Sequence, residues 1–555
     1  MNRIILSFLF LAMVACENNS NGKTASSADH TFDWHSSTIY FLLTDRFHNA
    51  ESTNDFIHPQ DSPPDNYRGF MGGDIKGITE KIKSGYFSDL GVDAIWFTPV
   101  VEQISGSVDE GTGTSYGYHG YWTRDWTDID PRFGTKEDLS EMVKVAHAHN
   151  LRVIIDVVAN HTGPVTEEDG AWPDSWIKTG PTCVYQDYET TTNCTLVENL
   201  PDIKTESNEE VSLPKFLVEK WQKEGRYEKE TQELETWFAE TGYRRTAVNY
   251  ILKWLVDFIV EYGVDGFRVD TVKHTEAYVW KNLYQAAVRA WENYKNDNPK
   301  AIIDKDTPFY MVGEVYNYYI SGGRGFDYGD TIVDFYDAGF DALINFDFKT
   351  DANNDYESIF SKYDSLLAGP LLGKSVLNYI SSHDDSSPFD RERSKAMESG
   401  TKLLLTQGGS QIYYGDESAR NLSVDANGDA SLRSFMNWEA IETGITSNTT
   451  KTGKILNHWR KLGKFRQNHP SIGAGRHQMI TASPYVFKRT YSSRDFSDAV
   501  VIGLDFPPGT KTIPTSSVFS NGTKVRDAYS GQEALVDNGK VILNSTESIV
   551  LLEKI

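Results

Sequence analysis

The chain has 555 residues, a formal net charge of −25 and a hydrophobic fraction of 39%. That exceeds an ordinary domain of about 150 residues, although α/β barrels run larger as single units, and the apolar content is enough for a large core, which excludes disorder throughout. So acidic a chain repels phosphate backbones and anionic headgroups, which argues against nucleic acid or a bare membrane surface as its main partner and leaves neutral ligands. Its 13 Trp, 29 Tyr and 28 Phe suit stacking on flat apolar faces such as sugar rings, as well as core packing.

The N-terminus begins with Asn2 and Arg3, continues through an apolar run over 4–14, and ends in small residues before Cys16. This pattern predicts a secretory signal over 1–15, too short to span a bilayer. Its junction resembles the bacterial lipoprotein signal, in which cleavage precedes the cysteine and Cys16 is acylated. The polar stretch that follows predicts a flexible tether over 16–35. The expected location is a bacterial membrane through a lipid anchor, on the periplasmic side or at the cell surface. No later run reaches about 18 apolar residues, so no transmembrane helix is expected. Cys183 and Cys194 remain, eleven residues apart in a Thr-rich stretch, and export would let them pair as one disulfide.

From residue 39 onward, short β-branched runs alternate with amphipathic helical stretches, the mark of repeated βα units around a parallel sheet. Strands are predicted over 39–43, 94–97, 153–158, 266–269, 310–312, 342–345, 376–380 and 411–414. Between the second and third lies a helix with Thr135 as N-cap, Asp138 three residues on, and Leu139, Met142, Val143 and Ala146 on one face. Ile251, Leu252, Leu255, Phe258 and Ile259 repeat that period before the fourth strand. Eight such units predict an α/β protein built on a (β/α)8 barrel.

Residues 161–235 hold the cysteine pair, Gly/Pro/Asp clusters and a Lys/Glu-rich stretch, far longer than an ordinary βα loop, and are expected to form an inserted subdomain after strand three. After Asn468-His469-Pro470 the pattern turns to short alternating strands, which predicts a C-terminal antiparallel β-sandwich over 471–555. The barrel would then occupy 36–160 and 236–470.

In such a barrel the reactive groups gather at the carboxyl ends of the strands. Asp156 lies at the end of strand three and Asn160 and His161 follow it in DVVANH, Arg268 and Asp270 sit in GFRVDTVKH, Glu314 in MVGEVY, and His383-Asp384 in YISSHDD. Asp270, Glu314 and Asp384 thus converge from three strands on one end. A phosphate-cradling Gly loop, a reactive cysteine and a metal-binding HExxH are absent from the sequence, and several convergent carboxylates suit glycoside cleavage. One carboxylate attacks or shields the anomeric carbon while another, kept protonated, donates to the leaving oxygen. Arg268, two residues before Asp270 on the same strand face, would hold Asp270 ionised. Glu314 has no cation near it in sequence, which suits an acid.

These motifs, in this order and spacing, resemble those of the alpha-amylase family of retaining glycoside hydrolases, and the A, B and C layout of that family matches the chain from about residue 36 to its end. The resemblance implies Asp270 as nucleophile, Glu314 as general acid/base and Asp384 as the stabiliser that grips sugar hydroxyls. It places Arg268, His161, His383, His119 and Tyr121 around the same sugar, with Tyr121 stacking on it, and Lys273 and His274 on the leaving-group side.

A calcium ion is implied in the same way, held by the side chains of Asn160 and Asp202 and the His274 carbonyl. Oxygen donors of this kind suit a hard cation. The Cys183–Cys194 loop and LPDIK are similar to fungal-type members, except that Thr192 stands where those carry an acidic ligand. Ser382 replaces the Asn that ligates chloride in chloride-activated members, so no chloride dependence is expected. The activity implied is endo-hydrolysis of α-1,4 bonds in starch or malto-oligosaccharides by a monomer. The alternatives are a cyclomaltodextrinase, α-glucosidase or glucan transglycosylase on the same scaffold and, from another class, a non-catalytic glucan-binding protein.

Overall fold

Eight short, almost wholly apolar runs are buried on both faces, as parallel strands covered by helices must be. They are β1 (Thr38–Leu42), β2 (Ala94–Phe97), β3 (Arg152–Val157), β4 (Gly266–Val269), β5 (Tyr310–Gly313), β6 (Ala342–Asn345), β7 (Ser375–Asn378) and β8 (Gly409–Tyr413). In the computed structural model, which describes residues 32–55, 67–446, 449–493 and 496–555, they close into a barrel in the order β1-β8-β7-β6-β5-β4-β3-β2. Every neighbouring pair is parallel. Each strand lies within two residues of its sequence-predicted ends. The expected signal peptide, Cys16 and all of the tether before residue 32 lie outside the described residues.

The helix Lys136–Ala148 forms where its caps and period require. Asp138 N–H donates to Thr135 Oγ1 at 3.1 Å, Thr135 N–H donates to Asp138 Oδ2 at 3.0 Å, and Leu139, Met142, Val143 and Ala146 are buried. Helix Ala247–Tyr262 buries Ile251, Leu252, Leu255, Phe258 and Ile259 and delivers the chain to β4.

Between β3 and that helix the chain makes its long excursion. Ile177–Lys178 pairs antiparallel with Asp202–Ile203, Cys183 and Cys194 are joined with Cα atoms 4.9 Å apart, and helices Lys215–Glu224 and Tyr227–Thr241 follow, the second running past residue 235.

The C-terminal part is antiparallel throughout. Six strands pair in one sheet, and Gly509–Pro514 with Lys540–Ser545 form a separate two-stranded ribbon. Period-two alternation sends Val486, Val501, Val550 and Leu552 toward Ile513, Val541 and Leu543 of the ribbon, while Phe487, Val500, Ile502 and Leu551 pack into the barrel's own core. His469 pins this junction, its ring nitrogens 2.9 Å from Asp498 and 2.8 Å from Glu553. Burial would lower its pKa, but the two carboxylates outweigh burial and push it up to about 9. Among the described residues no helix is long and apolar enough to cross a membrane.

Candidate active site

The loops at the carboxyl ends of the strands enclose a cleft of about 860 Å³ lined by Asp270, Glu314 and Asp384 together with His119, Tyr121, His161, Lys273, His274 and His383. Three βα junctions deliver the acids. Asp270 N–H continues the ladder to Val157 O, and Glu314 N–H continues it to Val269 O, so both carboxylates leave the barrel one residue beyond their strands. Asp384 arrives on the longer loop after β7.

Arg268, 1% exposed, is the centre of the charge arrangement. Its Nη1 lies 2.7 Å from Asp270 Oδ1 and 2.9 Å from Asp156 Oδ1, and its Nη2 lies 3.1 Å from Glu314 Oε2. The sequence points only to the Arg268–Asp270 pairing. The fork also reaches Glu314, which therefore does have a cation beside it, supplied across the β4–β5 neighbour pair.

Glu314 is nevertheless shifted toward the acid form. Burial raises its pKa most; Arg268 lowers it, Asp270 and Asp384 raise it, and a hydrogen bond from Thr271 N–H at 3.0 Å lowers it, leaving it well above the usual carboxylate range. Asp384 goes the other way. Burial would raise it, but His383, Arg268 and Arg433, together with a hydrogen bond from Glu314, hold it below its ordinary value. Its side chain is 27% exposed against 9% for Asp270 and 8% for Glu314, so it faces the open cleft.

Asp156 closes the network from below. It accepts from Tyr121 Oη at 2.8 Å and Trp96 Nε1 at 3.0 Å, and burial pushes its pKa up to about 6 despite Arg268. Tyr121 is thereby fixed with its ring stacked on His383 at 5.3 Å between centroids and on His119 at 5.8 Å. His161 bonds through Nε2 to Tyr121 O at 3.1 Å. Burial lowers the pKa values of His119, His161 and His383, the last to about 4, so all three stand neutral at pH 7 and offer hydrogen bonds rather than charge.

Thr271 adopts φ 48, a left-handed conformation uncommon for a β-branched residue, and this turn aims its N–H at Glu314 and starts the short helix Val272–His274. Lys273 Nζ then donates to Tyr316 O at 3.2 Å, and burial lowers its pKa. His274 Nδ1 lies 3.0 Å from Thr191 O in the disulfide loop, which carries Tyr185 to the same rim.

Asn160 and Asp202, two of the residues expected to hold an ion, lie together between barrel and insertion. Asn160 O accepts from Ile203 N–H at 2.7 Å, beside Asp202, and Asn160 Oδ1 accepts from Thr275 at 3.1 Å. Both Asp202 carboxylate oxygens are buried without a hydrogen-bond partner of good geometry; burial pushes the pKa up to about 8, with Lys178 and the Asn160 amide only partly offsetting it. A buried carboxylate without a hydrogen-bond partner of good geometry is a donor that a hard cation would satisfy, while the Asn160 amide oxygen is engaged by Thr275. Thr192 adds no side-chain ligand, because its hydroxyl donates to Tyr188 O and its carbonyl accepts from Lys178 Nζ at 3.0 Å. Among the described residues no group of three His, Cys, Asp or Glu side chains is arranged around a metal, so an ion here would depend on amide and carbonyl oxygens.

Sequence reasoning overlooked Arg433, Asp429, Tyr185 and Tyr316, all of which line the cleft. Arg433 Nε donates to His383 O at 2.9 Å, and its Nη2 lies 3.6 Å from Asp429. An i, i+4 acid–base pair in a long loop carries no signal that separates it from a solvated surface pair. Asp156 was the more legible case, since period-two alternation in β3 points it inward.

Residues 41–475 match the alpha-amylase catalytic domain as a family. The periplasmic alpha-amylase of Escherichia coli is 34% identical over 523 residues, 83% of this chain and 71% of its own length. A cyclomaltodextrin glucanotransferase of Bacillus sp. (strain 6.6.3) is 26% identical over 91% of this chain, which spans 64% of that enzyme. The solved Anoxybacillus alpha-amylase shares the fold, with a TM-score of 0.64 at 23% identity over 94% of this chain and 99% of that one. A carboxylate cluster of this geometry at the carboxyl end of a closed (β/α)8 barrel and a family match over most of the sequence lead to one assignment: the chain belongs to the alpha-amylase family of glycoside hydrolases.

Proposed function

We propose that the chain is an endo-acting alpha-amylase that hydrolyses α-1,4 bonds in starch and malto-oligosaccharides with retention of configuration. The observation that carries this reading is the single Arg268 guanidinium shared by Asp270 and Glu314, with Glu314 shifted toward its acid form and Asp384 toward its ionised form. Two carboxylates bridged by one fork suit the short separation of about 5 Å that a nucleophile and acid need for retention.

In the first step an Asp270 oxygen attacks the anomeric carbon, the glycosidic C–O bond breaks, and Glu314 gives its proton to the leaving oxygen. In the second, Glu314 takes a proton from water, the water oxygen bonds to the anomeric carbon, and Asp270 is released. Asp384 grips ring hydroxyls from the open side. Tyr121 stacks on the ring, Arg268, His119, His161 and His383 surround the same sugar, and Lys273 and His274 receive the leaving chain.

The test is a time course of product sizes from soluble starch with iodine staining of the same samples. Early loss of stain with a spread of oligosaccharides is the expected result. Slow stain loss with only glucose or maltose, or cyclic products, would move the chain to an exo-acting enzyme or to the transglycosylases among its relatives.

For calcium, Asn160 and Asp202 side chains and the His274 carbonyl would hold the ion, which when bound supplies charge compensation to the junction between barrel and insertion. EDTA is expected to lower the melting temperature, because an ion bound only by the folded state stabilises it by mass action. An unchanged melting curve together with no metal by elemental analysis would remove calcium from this reading.

The division that supports this reading is 36–160 with 236–470, 161–235 and 471–555, helix Tyr227–Thr241 crossing from the insertion into the barrel portion. The lipoprotein-like signal supports export and anchoring through Cys16, and the E. coli relative's name, a periplasmic enzyme, agrees with export. The chain acts as a monomer.

A further inference from the structure

Part of the cleft wall is built from segments far apart in sequence, Glu110 and Thr112 from one and Gly428, Asp429 and Arg433 from another, and one buried side chain ties them. Arg68, 3% exposed, donates through Nη1 to Glu110 Oε2 and Ser115 Oγ, both at 2.7 Å, and through Nη2 to Thr112 Oγ1 and the Asn427 carbonyl, both at 2.7 Å. Its own carbonyl accepts from Tyr116 N–H at 2.9 Å.

Two of these partners matter most. The hairpin made by Val108–Asp109 and Thr114–Ser115 is too short to hold itself in place, and three of Arg68's four bonds go to it or its turn. Asn427 caps the short helix Gly428–Leu432, the helix whose Asp429 lines the cleft and whose last turn leads into Arg433. Gly428 has φ +60, a backbone conformation that favours glycine, and a Cβ there would stand 3.4 Å from Arg68 Nη2, in ordinary van der Waals contact, so the helix start lies against the guanidinium. From Asn427 the connection runs through Arg433 to the carbonyl of His383, the residue before Asp384.

We propose that Arg68 is a positioning residue that latches the 108–115 hairpin to the Asn427–Arg433 segment and so sets how firmly this part of the cleft grips the glucan chain. The inference rests on the amylase reading, which orients the cleft. A bound sugar needs several fixed hydroxyl partners; Ala430 and Leu432 anchor the 428–432 helix in the core, whereas the 108–115 hairpin has little apolar burial of its own to hold it. Because Arg68 bonds the loop segments and none of the three acids, the latch acts through the grip on the chain, and its effect is expected to be larger on longer substrates than on short ones.

The experiment compares Arg68→Met with the unaltered chain on maltotriose, maltoheptaose and soluble starch, with melting temperatures measured alongside. KM for maltoheptaose and starch is expected to rise about tenfold, as befits loss of charge-assisted hydrogen bonds, with kcat changed by less than about threefold. The effect on maltotriose should be several times smaller, and Arg68→Lys should recover part of the loss. Thr112→Val, at an exposed position, removes a single anchor and is the second variant should Arg68→Met not fold; its KM on maltoheptaose is expected to rise about twofold to threefold. Equal losses at all chain lengths, or an unchanged KM for maltoheptaose in a folded variant, would overturn the latch. Failure of the unaltered chain to cleave any glucan would instead overturn the amylase reading, and the latch with it.

Discussion

Asp270→Asn is expected to abolish turnover, lowering kcat by at least about a thousandfold, while the protein stays folded. The amide keeps the size of the carboxylate and can still meet Arg268 through its oxygen, but it cannot form the glycosyl ester. Arg268 retains Asp156 and Glu314 as partners, so the buried cation remains compensated. Asp270→Ala adds a chemical test. Azide, small enough to enter the space left by the carboxylate, should restore turnover of an activated α-glucosyl fluoride, with the product now of β configuration because only one displacement has occurred. Residual starch hydrolysis within about tenfold of the unaltered enzyme would remove Asp270 as nucleophile.

Arg268→Met should be the most damaging change to stability. Methionine fills much of the volume beside Trp96, whose ring lies 5.1 Å from the guanidinium carbon, but it leaves Asp156, Asp270 and Glu314 without their common cation. Removing one member of a buried charge network costs about 3–5 kcal/mol, and loss of a preorganised cation at the reacting centre costs about a hundredfold or more in kcat. The deficit should depend on pH with a definite sign. Asp156 already has its pKa pushed up to about 6 by burial with Arg268 in place, and without that cation it rises further. A carboxyl whose folded pKa is raised binds its proton more tightly folded than unfolded, so its stabilising effect is complete below the ordinary carboxylate pKa and is lost as pH rises through the folded value. Arg268→Met should therefore melt closest to the unaltered protein near about pH 5 and furthest from it near about pH 8. A destabilisation independent of pH would mean that packing against Trp96, rather than charge, is what Arg268 supplies.

The barrel was legible because each βα unit announces itself locally. The run Ala94–Phe97 is apolar from end to end and Ala342–Asn345 is apolar up to its last residue, as strands buried on both faces require. The helix starting after Thr135 was legible from its cap and its period, both set within one turn of chain. The acids were legible from their position just past a strand, where a barrel puts its reactive groups.

Arg268 marks the limit of that reading. Its spacing to Asp270 is a property of one strand, so the sequence contains it; its contact with Glu314 exists only because β4 and β5 lie side by side, and its contact with Asp156 only because β3 lies on the other flank. The same division runs through the rest of the cleft. Local period, caps and strand-end acids were written in the sequence, because each depends on residues within a turn or two of one another. The shared guanidinium, the raised pKa of Glu314, the burial of the Asp202 carboxylate and the hydrogen bonds of Arg68 were decided by the tertiary structure alone, because charge, burial and hydrogen bonding act between neighbours in space, and closure of the barrel chose which neighbours those would be.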